Sequence, residues 1–406
     1  MRITNRKYLI LVIVVCVLFI KCTKPYNPKV ITSAGNYLVV EGSINTGAGD
    51  STVILLSRTV ALNSLSTTNP ELGATVTIQD NQNQSYPLTT VGNGIYTSAA
   101  LNLDNTRQYR LSITTKDDKT FLSDYVAAVS TPPVDSIGFT IVNDKEQGAG
   151  LQIYVNTHDP NNNTHYYRWD YNQTWIFTAK YYSSYISNGT AVVPRTTAQL
   201  VYQCWGNSLS TNIELGSSAK LTQDVIYQAP LVFIPSTSEE IENRYSILVK
   251  QYALSADAYN YFSILKQNTE ELGSIFDAQP SQLTGNIHCT TDATLPVIGY
   301  ISAGTIQQKR IYINNSQLPS TWKATYPYDC QTDTALFAYT VYETGNVQPV
   351  INQVNEYLIP IPSPFTIISE IIPSIGDTPL GYSYTDPDCG DCSIRGTTTK
   401  PGFWQN

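Results

Sequence analysis

Between residues 36 and 130 the chain is cut into short β-rich runs with no helical stretch among them, which limits the fold more than any other feature. YLVVEGSIN (37–45), STVILLSR (51–58), ATVTIQD (74–80), SYPLTTV (85–91), GIYTS (94–98), RQYRLSITT (107–115) and KTFLSDYVAA (119–128) are rich in β-branched and aromatic residues. The punctuating GAGD, DNQNQ, GNG, DNT and KDDK supply Gly, Asn and Asp, which tolerate tight turns. Alternation is clearest where Tyr109, Leu111 and Ile113 interleave with Gln108, Arg110 and Ser112, the period of a half-buried strand. About seven strands at this spacing predict an immunoglobulin-like β-sandwich over 36–130. Tyr109, just after the turn LDNT, stands where such a sandwich carries its corner tyrosine. Thr131-Pro132-Pro133 then breaks the pattern and predicts a joint between domains.

The remaining residues, 131–406, read as a larger β domain. SIGFTIVN, GLQIYVNTHD, YYRWDYNQTWIFTAKYY, AQLVYQCW, RYSILVKQYAL and VIGYISAG all have strand composition. One helix is expected, over 256–272. Ser255 can cap it, Asp257 suits its first turn, and Ala258, Tyr261, Phe262, Leu265 and Leu272 make an apolar stripe. The Pro-rich IPIPSPF (359–365) reads as an extended connection. The fold class is therefore all-β: an N-terminal immunoglobulin-like sandwich and a larger β-sandwich domain with one helix and a Cys-rich C-terminus.

The N-terminus decides the compartment. Arg2, Arg6 and Lys7 precede an apolar core from Leu9 to Ile20, then come Cys22 and the polar TKPYNPK. A cationic start and about a dozen apolar residues make a secretory signal, too short for the roughly 20 residues of a spanning helix. A cysteine at the cleavage position points to a bacterial lipoprotein signal. Residues 1–21 are then the signal peptide, Cys22 the lipidation site, and 22–35 a tether. Lys21 stands where a small residue is usual.

Removing the signal deletes Arg2, Arg6, Lys7 and Lys21 and no acidic residue. The 24 Lys and Arg less these four, against 32 Asp and Glu, leave a net charge of −12. So acidic a chain, without a basic run, argues against nucleic acid as a partner. Only 14% of residues are charged, while 42% are apolar and 11% aromatic, enough to build a core rather than remain disordered.

Cys16 leaves with the signal and Cys22 would carry lipid, so Cys204, Cys289, Cys330, Cys389 and Cys392 remain. Outside the cytoplasm these are disulfide candidates, with the pairing open and one left over. Cys389-Gly-Asp-Cys392 has CxxC spacing, but it sits in a coil rather than at a helix start after a strand. A zinc site would also need a second pair at ligand spacing.

Candidate chemistry is sparse. The three histidines are His158, His165 and His288. The stretch HDPNNNTH brings Asp159, Asn161 and Asn163 into D-x-N-x-N spacing, the start of a calcium loop, but lacks the glycine and the terminal glutamate of one. A turn explains it, since Asp, Pro and Asn are turn residues. No G-x-S-x-G or H-E-x-x-H occurs. Glu41, Asp170 and Asp277 are carboxylates of the kind a glycosidase pairs, though nothing in the sequence pairs them. Glu270 and Glu271 read as a solvated helix face, and Asp277 as closing the turn after it. Catalytic residues, metal ligands and cofactors are therefore assigned to none. The site-like enrichment is aromatic: Tyr166, Tyr167, Trp169, Tyr171 and Trp175 fall within ten residues. In a strand Tyr167, Trp169 and Tyr171 share one face and Tyr166 takes the other. Core packing and ligand or partner contact are both open readings of these rings. Phe403-Trp404 is expected to dock as a hydrophobic plug.

Read in order, the chain is similar to the Bacteroidota lipoproteins grouped as domain of unknown function family 4249. The resemblance rests on the Cys22-Thr-Lys-Pro-Tyr start, YLVVEGSIN, YYRW (166–169), CW (204–205), YSILVKQYALSADAYNYF (245–262), GSIFDAQPSQLTGNIH (273–288), VIGYISAGTIQQKRIYI (297–313) and CGDCSIRGTTTKPGFW (389–404). It implies an outer-membrane lipoprotein held to the bilayer by its acylated N-terminus, on the periplasmic or the outer face. Such proteins resemble accessory subunits of TonB-dependent transporters. Cys289 departs from the usual cysteine set of the resemblance. The expected function is a non-enzymatic binding or assembly subunit for such a transporter. A surface adhesin or envelope structural protein, and a glycan or peptide hydrolase, are the alternatives.

Overall fold

The computed structural model describes residues 36–60, 69–270, 283–326, 328–338, 342–343, 346–347, 351–374 and 378–405. The predicted signal, Cys22 and the tether lie outside the described residues, as do Glu271, Leu272 and Asp277.

The first unit is built from β1 (Leu38–Gly42), β2 (Ile44–Asn45), β3 (Val53–Arg58), β4 (Thr75–Asp80), β5 (Ser85–Gly92), β6 (Ile95–Ser98), β7 (Gln108–Thr114), β8 (Thr120–Ser123) and β9 (Val126–Val129). Each predicted run forms a strand, and two of them split in two. Alternation does what the sequence reading expects: in β7, Tyr109, Leu111 and Ile113 are buried while the residues between them are not. The Tyr109 hydroxyl donates to the Asp104 carbonyl at 2.9 Å, so the corner tyrosine is anchored on the preceding turn.

The second unit starts with β10 (Val134–Asp144), β11 (Gly148–His158), β12 (Tyr166–Thr178), β13 (Tyr185–Ser187), β14 (Val192–Pro194), β15 (Gln203–Leu209), β16 (Glu214–Ser217), β17 (Val225–Pro235) and β18 (Arg244–Ala253). The helix Ala256–Thr269 follows β18. Ser255 accepts from the Ala258 N–H at 3.2 Å as its cap, Asp257 lies in its first turn, and Ala258 and Tyr261 are buried.

The chain then returns to the first unit. β19 (Ile287–Cys289) pairs with β8, β20 (Val297–Gly299) runs parallel to β1, and β21 (Ala303–Gly304) inserts between β2 and β9, parallel to both. The hydrogen-bonded path therefore leads from β2 through β21, β9, β7, β4, β5, β6 and β3 back to β1, which continues into β2 through Ser43. The path thus leads back to the segment it started from, while β20 and β19, each paired on one side only, lie at its margins. This corrects the domain bounds 36–130 and 131–406: residues 287–304 join the first unit. VIGYISAG, expected as one strand, forms the two short strands β20 and β21 split at 300–302; their partners lie more than 170 residues upstream, and local pattern carries no information about them.

β22 (Ile306–Asn314) completes the second unit. One sheet, β10-β11-β17, packs on another ordered β15-β12-β18-β22, with β16 also on β12. Ile137, Leu151, Ile153, Val155, Ile226 and Ile234 of the first meet Tyr167, Trp169, Tyr245, Ile247, Val249 and Ile313 of the second. A small C-terminal layer follows: β23 (Thr332–Leu336), β24 (Tyr342–Glu343), β25 (Asn346–Val347), β26 (Thr366–Ile371) and β27 (Gly381–Thr385). β23, β27 and β26 form a sheet over Ala335, Val354, Leu358, Ile367 and Tyr382. No helix among the described residues is long and apolar enough to cross a membrane.

Candidate functional site

Strand β12 carries the aromatic cluster, and its pleat sorts the rings. Tyr167, Trp169 and Tyr171 point into the sandwich, at 0%, 1% and 7% exposure. Two of the three polar ends are satisfied there: Trp169 Nε1 donates to Gln251 Oε1 at 2.8 Å, and the Tyr167 hydroxyl bonds Thr164 Oγ1 at 2.7 Å and the Asp224 carboxylate. Trp175, on the same face, lies over Gly206, where a Cβ would fall 2.3 Å from the indole. Tyr166, on the opposite face, tilts against Tyr259 with ring centres 4.9 Å apart. Four of the five rings are thus packing elements, and Tyr166 leans on the helix.

The opposite face of the same strand builds the site instead. Arg168, Asp170 and Asn172 of β12 share it with Leu248, Lys250 and Tyr252 of β18 and with Ile306 and Gln308 of β22. Asp170 stands opposite Lys250, and Lys250 opposite Gln308. This surface is the base of a half-open cleft of about 1030 Å³. The helix contributes Tyr261, Phe262 and Leu265 as one wall; the end of β15 contributes Leu209 and the turn after it Thr211 and Asn212. The far wall is the first unit, with Glu41, Ser43, Asp50, Ser51 and Val53. The returning β20 supports that side through Ile298 and Gly299. The volume suits a ligand-binding cleft.

Arg168 is held in place. Its guanidinium lies 4.6 Å from the Tyr252 ring and 4.7 Å from the Phe262 ring, and Nη2 donates to Asp170 Oδ2 at 3.2 Å. Ring quadrupoles and a carboxylate together fix a cation that would otherwise sample many rotamers. Glu270 is not a free solvated group: it accepts from the Ile213 N–H at 2.6 Å and lies 3.6 Å from Lys266, which also donates to the Ile213 carbonyl at 2.7 Å. This pins the turn 210–213 to the helix. Burial raises the Glu214 carboxyl above the usual range, opposed by Lys266 at 3.7 Å. Burial likewise pushes the Tyr261 hydroxyl up to about 12.

The other sequence-derived candidates fall elsewhere. Cys204 bonds Cys392 and Cys330 bonds Cys389, so each cysteine of the CxxC takes a different, distant partner; Cys289 is a buried free thiol in the first core. Asp159 accepts from the N–H groups of Asn161, Asn163 and Thr164, which makes HDPNNNTH a turn closed by its own carboxylate. Among the described residues no three His, Cys, Asp or Glu side chains gather to hold a metal. Glu41 and Asp170, unpaired in sequence terms, come from separate units to the same cleft. Lys250, Tyr252 and Gln308 were not singled out from sequence. Their signal was faint: polar residues alternating with core residues on central strands.

Residues 23–310 match the family described as Domain of unknown function (DUF4249), and the chain belongs to that family. All cleft residues named above fall within that match; the disulfide-bonded C-terminus lies beyond it. Among curated proteins nothing matches the chain. Solved structures include a DUF4785 family protein from Legionella pneumophila, 11% identical, covering 53% of this chain and 52% of its own length with a TM-score of 0.18. The chain thus spans about half the length of that protein. The BSP domain of a biofilm associated protein is 9% identical, covering 69% of this chain and 59% of its own length, with a TM-score of 0.12.

Proposed function

We propose that this chain is a lipid-anchored outer-membrane protein that works as a non-enzymatic binding subunit, accessory to a TonB-dependent transporter. Residues 1–21 are removed on export, and Cys22 carries the acyl chains. The observation that carries the binding role is the cleft of about 1030 Å³, walled jointly by the two large units and based on a rigid sheet with a pinned arginine. Export is supported by the signal sequence and by two disulfides that persist only in an oxidising compartment. Recovery of a TonB-dependent transporter with the tagged chain from solubilised outer membranes is expected. Recovery of the chain alone refutes the partnership. Radioactive fatty acid should label the chain but not a Cys22→Ser variant.

One observation favours a second reading. Glu41 and Asp170 enter the same cleft from opposite units, as the carboxylates of a glycosidase do. Release of reducing ends from oligosaccharides, lost in both Glu41→Gln and Asp170→Asn, would establish hydrolysis in place of binding.

A further inference from the structure

We infer that the cleft between the two large units takes a neutral, hydroxyl-rich ligand, an oligosaccharide, held by hydrogen bonds from both walls. The inference rests on the binding role proposed above and names its ligand class. Its first support is a concentration of unused polar groups. Among the described residues, Glu41 and Asp50 on the far wall, Lys250 and Gln308 on the base and Asn212 on the turn have no side-chain hydrogen bond or ion pair, although all line one space. Polar side chains elsewhere in the second unit, such as Gln173, Gln251 and Asn207, are bonded.

The arrangement of these groups excludes the other ligand classes one by one. An apolar ligand would strip water from Lys250, Glu41 and Asp50 and return no hydrogen bonds, which is costly. An anionic ligand would be drawn to Lys250 and repelled by Glu41 and Asp50 facing it; a cationic one meets the reverse. Asp170 and Arg168 neutralise each other at 3.2 Å and leave that balance unchanged. A hydroxyl both donates and accepts, so a polyol satisfies the acceptor-only Glu41 and Asp50, the donor-only Lys250 and the two-way Gln308 and Asn212 together. A peptide offers amides, but β1, β3, β12 and β18 are paired on both edges and give it no strand to extend. β22 ends its sheet, so a peptide is the rival that the test must include. Tyr252 and Phe262 already spend a ring face on Arg168, so hydrogen bonding rather than stacking carries recognition here.

The test uses the full chain purified in detergent and titration calorimetry. The probes are malto-, cello- and xylo-hexaose, oligogalacturonate of the same length, and an uncharged hexapeptide of alanine and serine. At least one neutral hexaose is expected to bind, and Lys250→Ala and Gln308→Ala, both exposed side chains, each to weaken it by up to about tenfold. Oligogalacturonate is expected to bind more weakly than the neutral sugar, and to gain on it in the Glu41→Gln/Asp50→Asn variant, where the repelling wall is neutral. Binding of the peptide alone, or of no probe, overturns the inference. So does neutral-sugar binding indifferent to Lys250 and Gln308. A chain that recovers the transporter but binds no sugar loses only this inference; one that binds sugar without the transporter loses only the partnership.

Discussion

Thr131 and Thr305 hold each other across the joint between the two large units. The Thr131 N–H donates to Thr305 Oγ1 at 2.9 Å, and the Thr131 hydroxyl donates to the Thr305 carbonyl. The same hydroxyl accepts from the Ala253 N–H at 3.0 Å. One side chain thus ties together the outward crossing after β9, the end of β18 and the crossing from β21 to β22. The cleft lies between units fastened at all three places where the chain passes, which favours a preformed site over one that closes by hinge motion.

Thr131→Val keeps the shape and removes the hydroxyl, leaving the buried Ala253 N–H and the Thr305 carbonyl without partners. A loss of about 2 kcal/mol is expected from unsatisfied buried groups. Urea unfolding measures it; a change below about 0.5 kcal/mol, the ordinary scale of a surface substitution, would refute the fastening role.

Reduction should act on the C-terminal layer first. Peptide mapping without reductant is expected to recover the crosslinks Cys204–Cys392 and Cys330–Cys389, with Cys289 as the thiol that becomes reactive only on unfolding. Cys330→Ser combined with Cys389→Ser should cost about 2–4 kcal/mol. Recovery of a Cys389–Cys392 crosslink would overturn the pairing.

Glu240 is half-buried near Tyr171 and Tyr245, and burial, then the charge of Glu239, raises its carboxyl above the ordinary range. In that window the folded state binds more protons than the unfolded state, so its contribution is fully present below the ordinary glutamate value and is lost as pH rises through the raised one. Glu240→Gln is therefore expected to raise the melting temperature at pH 7 and to lose that advantage near pH 4. A variant that is equally stabilising at both pH values, or destabilising at pH 7, contradicts this.

How much of this was legible before the structure depends on how local the cause is. The strands of the first unit, the Ser255 cap and the burial of Tyr109, Leu111 and Ile113 follow from period and turn chemistry, which act over a few residues. The parallel pairing of Val297 with Leu38 and the insertion of Ala303 between Ile44 and Ala128 do not, because packing across the whole chain decides them. β17 and β22 were missed: Pro230 and Pro235 interrupt the first, and Gln307, Gln308, Lys309 and Arg310 mask the second. The candidate site reversed the expectation in an instructive way. The aromatic residues of β12 drew attention, yet the pleat that buries Tyr167 and Trp169 presents Arg168 and Asp170 to the cleft.

The C-terminal plug gives the last prediction. Trp404 is buried edge-on against Trp205 and Tyr312, with ring centres 6.5 and 5.6 Å away, while Arg310 stacks on Phe403 at 3.6 Å. Arg244 Nη1 donates to the Gln405 carbonyl at 2.8 Å and the Tyr312 hydroxyl to that of Phe403 at 2.7 Å. This tail covers the β15-β12-β18-β22 sheet at Trp205, Arg244, Arg310 and Tyr312. Trp404→Ala should cost about 3–5 kcal/mol, the range for emptying a buried tryptophan site. The tail stays near its groove because Cys392 is bonded to Cys204, next to Trp205, so docking closes only a short loop. Without that bond the tail must be ordered from a much wider ensemble, and part of the docking energy is lost before Trp404 is touched. Trp404→Ala is therefore expected to cost less in a Cys204→Ser/Cys392→Ser background than in the parent, by at least about 0.5 kcal/mol, the usual error of additivity. Additive losses would mean that the plug docks independently of the disulfide.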